Sequence, residues 1–89
     1  MNNLLKIWAE NKPVINSWLS IPNSFTAEAF GKMGWDAITI DMQHGQTDYS
    51  ASISMLQALS SSSSTPMVRV PTICRRWWAS TSTVVAARL

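Results

Sequence analysis

Charge is scarce in this chain. Only 13% of its 89 residues are charged, about half the roughly 25% usual in soluble domains. With 46% hydrophobic residues, that balance excludes disorder throughout. Long apolar runs are also missing: none approaches the roughly 18 residues of a membrane span, and the start, Met1-Asn-Asn-Leu-Leu-Lys-Ile-Trp-Ala-Glu10, carries charges where a signal peptide needs an apolar core. A cytoplasmic location without a membrane partner is the expectation. Cysteine is nearly absent too. Cys74 stands alone, which rules out an internal disulfide and a thiolate metal cage and suits a reducing compartment.

What charge there is falls unevenly. Residues 1–71 hold four cations (Lys6, Lys12, Lys32, Arg69) and five carboxylates (Glu10, Glu28, Asp36, Asp41, Asp48), whereas residues 72–89 hold Arg75, Arg76 and Arg88 and no acid. The formal charge of +2 is therefore a property of the tail. Three arginines beside Trp77 and Trp78 make a small patch for phosphates and bases, and no nucleic-acid partner is expected. A chain of this length forms one small domain that buries about 60 to 65% of its unfolded surface.

Leu4, Leu5, Ile7 and Trp8 fit a short amphipathic helix ending near Asn11-Lys12-Pro13, because proline disfavours helical geometry in the residue before it. Val14–Leu19 predicts a strand, closed by Ser20-Ile-Pro-Asn23. Asn23 or Ser24 can cap a helix with Phe25, Ala29, Phe30 and Met33 on one face and Gly34 at its end. Asp36–Asp41 predicts a second strand, and Asp48 caps a second helix with Ile53, Leu56 and Leu59 facing inward. The five serines 60–64, too polar to pack, read as the loop before a third strand, Pro66–Val70. Strands alternating with helices make the class α/β, with a parallel sheet. Two and a half such units cannot close a barrel, for which about 250 residues are typical, so the chain is either a fragment or covered by a partner.

The stretch Gly34–Gly45 is a buried strand ending in Asp41, Gln43 and His44. Carboxyl ends of parallel strands form the floor of α/β active sites, and a histidine near a carboxylate can move protons near neutral pH. The same residues also suit a turn cap and a solvated loop side chain. Arg69 lies inside the apolar strand Met67–Pro71, where it needs either an anion beside it or a route to water.

Six segments in order, Trp18-Leu-Ser20, Ala27-Glu28, Gly34-Trp-Asp36, Ile40-Asp-Met-Gln-His44, Met55-Leu-Gln-Ala58 and Pro66-Met-Val-Arg-Val-Pro71, resemble the N-terminal third of the HpcH/HpaI aldolases, also described as 4-hydroxy-2-oxoheptanedioate or 2,4-dihydroxyhept-2-ene-1,7-dioate aldolases. The resemblance covers about residues 1–71, a partial domain. It implies the first units of a (β/α)8 TIM barrel of the phosphoenolpyruvate/pyruvate type, truncated after the third strand, and usually a homo-hexamer. It also implies class II aldol cleavage of 4-hydroxy-2-oxo acids to pyruvate and an aldehyde, with Mg2+, Mn2+ or Co2+.

By the same resemblance His44 is the catalytic base and Asp41 the carboxylate paired with it. Arg69 binds the 2-oxo acid and stabilises the enolate, Trp18 lines the pocket, and Gln43 stands where relatives often have glutamate. The family's metal ligands come from later strands, and no residue here corresponds to them. Residues 72–89 match nothing in the family. Their loss of acids and the Arg75-Arg-Trp-Trp78 run read as a frameshift or premature stop. With the metal ligands and most of the barrel absent, the isolated chain is expected to be inactive; the alternative reading is a non-catalytic remnant or interaction fragment with no activity of its own.

Overall fold

Short side chains with a free oxygen start the longer helices, and register between short apolar strands does the rest. The computed structural model describes residues 3–71 and the backbone of residues 84–86. It runs α1 (Asn3–Ala9), β1 (Asn16–Leu19), α2 (Ser24–Gly31), β2 (Ala37–Asp41), α3 (Tyr49–Leu59), β3 (Thr65–Arg69) and β4 (Val84–Ala86). Asn23 caps α2 by accepting the Thr26 N–H at 2.9 Å, and Asp48 caps α3 by accepting the Ala51 N–H at 2.8 Å. Gly34, with φ of 89°, supplies the left-handed residue between α2 and β2.

Strands β1, β2 and β3 are parallel and adjacent in chain order, with Leu19 beside Ile40 and Asp41 beside Arg69. These are successive β/α units, and the α/β class is as expected. β1 begins two residues later than its apolar pattern suggests. The Ile15 N–H leaves the ladder for Asp36 Oδ2 at 2.8 Å. β4 is a departure, since it pairs antiparallel with β3 within a tail that carried no expected element. The rest of residues 72–89, with Cys74 and the Arg75–Trp78 run, lies outside the described residues.

Strand alternation sends Leu19, Ile38, Ile40 and Val68 to one face, where they pack with Ala27 of α2 and Met55 and Leu59 of α3. Two details differ from the apolar pattern. α2 buries Ala27 and Gly31 and packs Phe30 against the core, but leaves Phe25 78% exposed and, beyond the helix end, Met33 63% exposed. The reason is proximity: a Cβ on Gly31 would meet the Ser62 Cβ at 2.8 Å, so only small residues fit the contact. α3 turns Leu59 inward as expected, together with Ser52 and Met55, while Leu56 packs partly buried against the core and Ile53 is left exposed.

The serine tract is the expected loop before β3, with Ser60, Ser61 and Ser63 exposed, but Ser62 is half-buried and Ser64 buried. Ser60 and Ser62 donate to the Gln57 and Leu59 carbonyls at the end of α3, and buried Ser64 donates to the Trp35 carbonyl at 2.7 Å. A hydroxyl is small enough to bury when a nearby carbonyl takes its proton.

Candidate active site

The opposite face of the sheet holds the polar residues. Period-two alternation and the parallel register place Trp18 of β1, Thr39 and Asp41 of β2, and Met67 and Arg69 of β3 on that face. Asp41 and Arg69 are the last residues of neighbouring strands, so both stand at the carboxyl end of the sheet.

Asp41, 3% exposed, is the hub. Arg69 Nε donates to its Oδ1 at 3.0 Å and Arg69 Nη2 to its Oδ2 at 2.7 Å, the fork geometry that makes arginine–carboxylate pairs strong and directional. Trp18 Nε1 donates to Oδ2 at 3.0 Å, and the backbone N–H groups of Gln43 and His44 donate to Oδ1 at 2.9 and 3.1 Å. The Arg69 guanidinium carbon also lies 5.0 Å from the centre of the Trp18 ring, within cation–π range. One carboxylate thus ties together β1, β3 and the loop after β2.

The Arg69 guanidinium holds the Asp41 carboxyl well below its ordinary value of 3.8. Burial opposes this, and Trp18 and the two backbone donors reinforce it. Asp41 in turn pushes Arg69 up. Asp41 is therefore a fixed anion that orients its neighbours, and it does not exchange protons near neutral pH. Two of the five guanidinium N–H donors go to Asp41. The other three have no hydrogen-bond partner among the described residues, and they can receive an anion.

Of the five residues singled out by sequence, the structure brings Trp18, Asp41 and Arg69 together by their side chains. Gln43 and His44 join through main-chain N–H groups. The expected pairing of the Asp41 carboxylate with the His44 imidazole does not form, because Arg69, Trp18 and the loop backbone already occupy both oxygens. The His44 side chain is exposed and makes no hydrogen bond among the described residues. It stands three residues beyond Asp41 on the loop at the same end of the sheet.

Gly45 escaped the sequence reading. The Gln46 N–H bonds the Ser20 carbonyl at 3.0 Å, drawing the loop against the end of β1. A Cβ on Gly45 would sit 2.5 Å from the Asp41 carbonyl oxygen and 3.1 Å from the Ser20 Cα. Glycine here permits the close backbone approach that fixes His44 relative to Asp41. Its place directly after a polar cluster was the available signal.

Among the described residues no group of three or more His, Cys, Asp or Glu side chains could hold a metal ion. Mg2+ prefers six oxygens, and the Asp41 oxygens are already engaged, so these residues do not fit such a site by themselves. No helix among the described residues is long and apolar enough to cross a membrane.

No family model matches the chain, but individual proteins do. The hydroxypyruvate/pyruvate aldolase of Rhizorhabdus wittichii is 36% identical over 69 residues, which is 78% of this chain and 28% of that protein. The hydroxypyruvate/pyruvate aldolase of Agrobacterium fabrum is 43% identical over 60 residues, 67% of this chain and 23% of its own length. A 5-keto-4-deoxy-D-glucarate aldolase of Escherichia coli is 40% identical over 58 residues, 65% of this chain and 23% of that protein. Among solved structures, an HpcH/HpaI aldolase/citrate lyase family protein from Burkholderia cenocepacia superposes with a TM-score of 0.73 at 33% identity. That match covers 81% of this chain and 29% of the other. The chain spans less than a third of the length of these relatives. Its parallel strands and helices correspond to the N-terminal part of a TIM-barrel aldolase, and the chain belongs to the HpcH/HpaI aldolase family.

Proposed function

We propose that this chain carries the 2-oxo-acid-binding corner of an aldolase that cleaves 4-hydroxy-2-oxo acids to pyruvate and an aldehyde, and that these 89 residues alone do not turn over. The observation that carries the reading is the Arg69 clamp. Asp41 fixes the guanidinium from one side and leaves three donors for a substrate carboxylate or 2-oxo oxygen. The relatives' names speak of pyruvate, hydroxypyruvate and a keto-deoxy sugar acid, and all three are oxo acids.

In the cleavage direction a base takes the proton of the 4-hydroxyl, the C3–C4 bond breaks, the aldehyde leaves, and the bonding pair becomes the enolate of pyruvate. Arg69 would hold the oxo acid and stabilise the enolate oxygen, which is where charge develops. His44 is the residue in this reading that accepts the 4-hydroxyl proton, since an imidazole can serve as a general base and its exposed side chain makes no hydrogen bond among the described residues. Trp18 forms the wall beneath Arg69, and Gln43 offers an amide without adding charge. The divalent ion of the family has no fitting donor set among the described residues, so no step is assigned to it.

The test is pyruvate titration of 15N-labelled chain with Mn2+-free buffer, followed at the Arg69 Nε–Hε and Trp18 indole signals. Both are expected to shift in the wild type and to stay in place at Trp18 in Arg69→Lys, which keeps charge but loses the fork. Equal shifts in the two proteins would remove Arg69 from the binding role. In a parallel sample with Mn2+ and a 4-hydroxy-2-oxo acid, pyruvate release is expected to match a heat-killed control, and release above it would overturn the inactivity.

A further inference from the structure

The outer edge of β3 is where a barrel would add its next parallel strand, and in this chain β4 lies against it instead. Met67 stands opposite Ala86, Val68 opposite Val85 and Arg69 opposite Val84, in antiparallel register. We propose that Val84–Ala86 is an edge cap that keeps β3 from pairing with the β3 edge of a second copy of this chain.

The backbone directions along β3 specify which bond the cap uses. Met42 donates to the Arg69 carbonyl at 3.0 Å, and Thr65 donates to the Asp36 carbonyl at 2.9 Å. Residues 65 and 69 therefore turn their polar backbone toward β2. In a strand the N–H and C=O of one residue point to the same side and alternate along the chain, so Pro66 and Val68 turn theirs toward β4. Proline has no N–H, and its position on this side costs the β2–β3 ladder nothing, as expected for an edge strand. Val68 is then the one N–H donor that the five residues of β3 present on their outer edge. Val68 and Val85 are opposite each other, and they form the pair that exchanges both bonds. The N–H groups of Val84 and Ala86 point away from β3.

An uncapped β3 would expose an apolar edge of Met67 and Val68 with one donor and two acceptors. Such an edge pairs with another like itself. The opposite edge of the sheet, β1, has only four residues between Pro13 and Pro22, short enough to discourage pairing.

A proline scan of the full chain tests the cap. Val85→Pro removes the N–H facing β3, and is expected to speed hydrogen exchange at the Val68 amide roughly tenfold or more and to shift the chain from monomer to dimer in size-exclusion chromatography with light scattering. Val84→Pro and Ala86→Pro are expected to leave both readouts near wild type. Three prolines of equal effect, or a Val85→Pro chain that stays monomeric with a slow Val68 amide, would overturn the proposal. A check without substitution guards against a variant that fails to fold. In the unaltered chain the Val68 amide should exchange as slowly as the Met67 amide, which faces β2. Exchange of Val68 at the unprotected rate would sink the cap outright.

Discussion

Along β2 every residue is buried, yet neighbours live under different rules. Ile38 and Ile40 sink among Ala27, Met55 and Leu59, where any well-shaped hydrocarbon would be stabilised by leaving water. Asp41, on the other face, is equally hidden but depends on four donor groups at fixed positions: the Arg69 fork, the Trp18 indole, and the backbone of Gln43 and His44. The comparison separates two jobs. The helix-covered face supplies most of the free energy of folding, and it tolerates variation of shape. The polar face contributes less net stability, since desolvating the charged groups offsets much of what their bonds return, but it determines where a guanidinium and a loop stand.

The sharpest way to break this contrast is to cut into each face in turn. Ile40→Ala removes a fully buried side chain from the cluster and is expected to cost about 2–5 kcal/mol in urea denaturation, a large part of what a domain of this size possesses. That loss should be the same at pH 7 and pH 3, because nothing that titrates changes. A loss below about 1 kcal/mol would mean that the cluster is not the core of the fold.

Asp41→Asn should behave in the opposite manner with pH. The Asp41 carboxyl titrates well below its ordinary 3.8 in the folded chain, so the unfolded chain binds its proton first as pH falls. The stability it contributes is fully present above about pH 5, erodes as pH drops past 3.8, and is gone once the pH passes below the folded value. The gap between wild type and Asp41→Asn should therefore be constant from pH 5 to 8 and narrow in acid. A gap that holds its size at pH 2 would show that packing, rather than charge, makes Asp41 matter.

Local features of this arrangement were legible in the sequence and tertiary ones were not. The strand–helix order and the caps at Asn23 and Asp48 follow from residues within a few positions of one another. Phe25, Ala29, Phe30 and Met33 share a helical face, but which face is buried depends on Gly31 meeting Ser62, a contact across two elements. Arg69 inside an apolar strand called for either an anion or a route to water. That the anion is Asp41 follows from the register Asp41 beside Arg69, which a separation of 28 residues does not reveal, so nearness in sequence and the family resemblance joined Asp41 to His44 instead. Half-buried Ser62 and buried Ser64 depend on carbonyl partners at Leu59 and Trp35 that are set by the turn after α3 and by the arrival of β3, which residue polarity does not show. β4 is only three residues long, too few for a pattern to declare itself.

The smallest expected effect probes the polar face most finely. Trp18→Phe keeps an aromatic ring beneath Arg69 and deletes only the indole N–H that donates to Asp41 Oδ2. Trp18 is 44% exposed, so water can take the vacated acceptor, and the loss should be near the low end for a single hydrogen bond, about 0.5 to 1 kcal/mol. Trp18→Ala removes the ring as well, frees the guanidinium to swing, and should cost more by about the worth of an exposed cation–π contact, roughly 0.5–1 kcal/mol. Thermal unfolding of the two variants side by side measures both increments. If Trp18→Phe alone proved as costly as Ile40→Ala, the polar face would be holding the sheet together, and the division of labour between the two faces would fail.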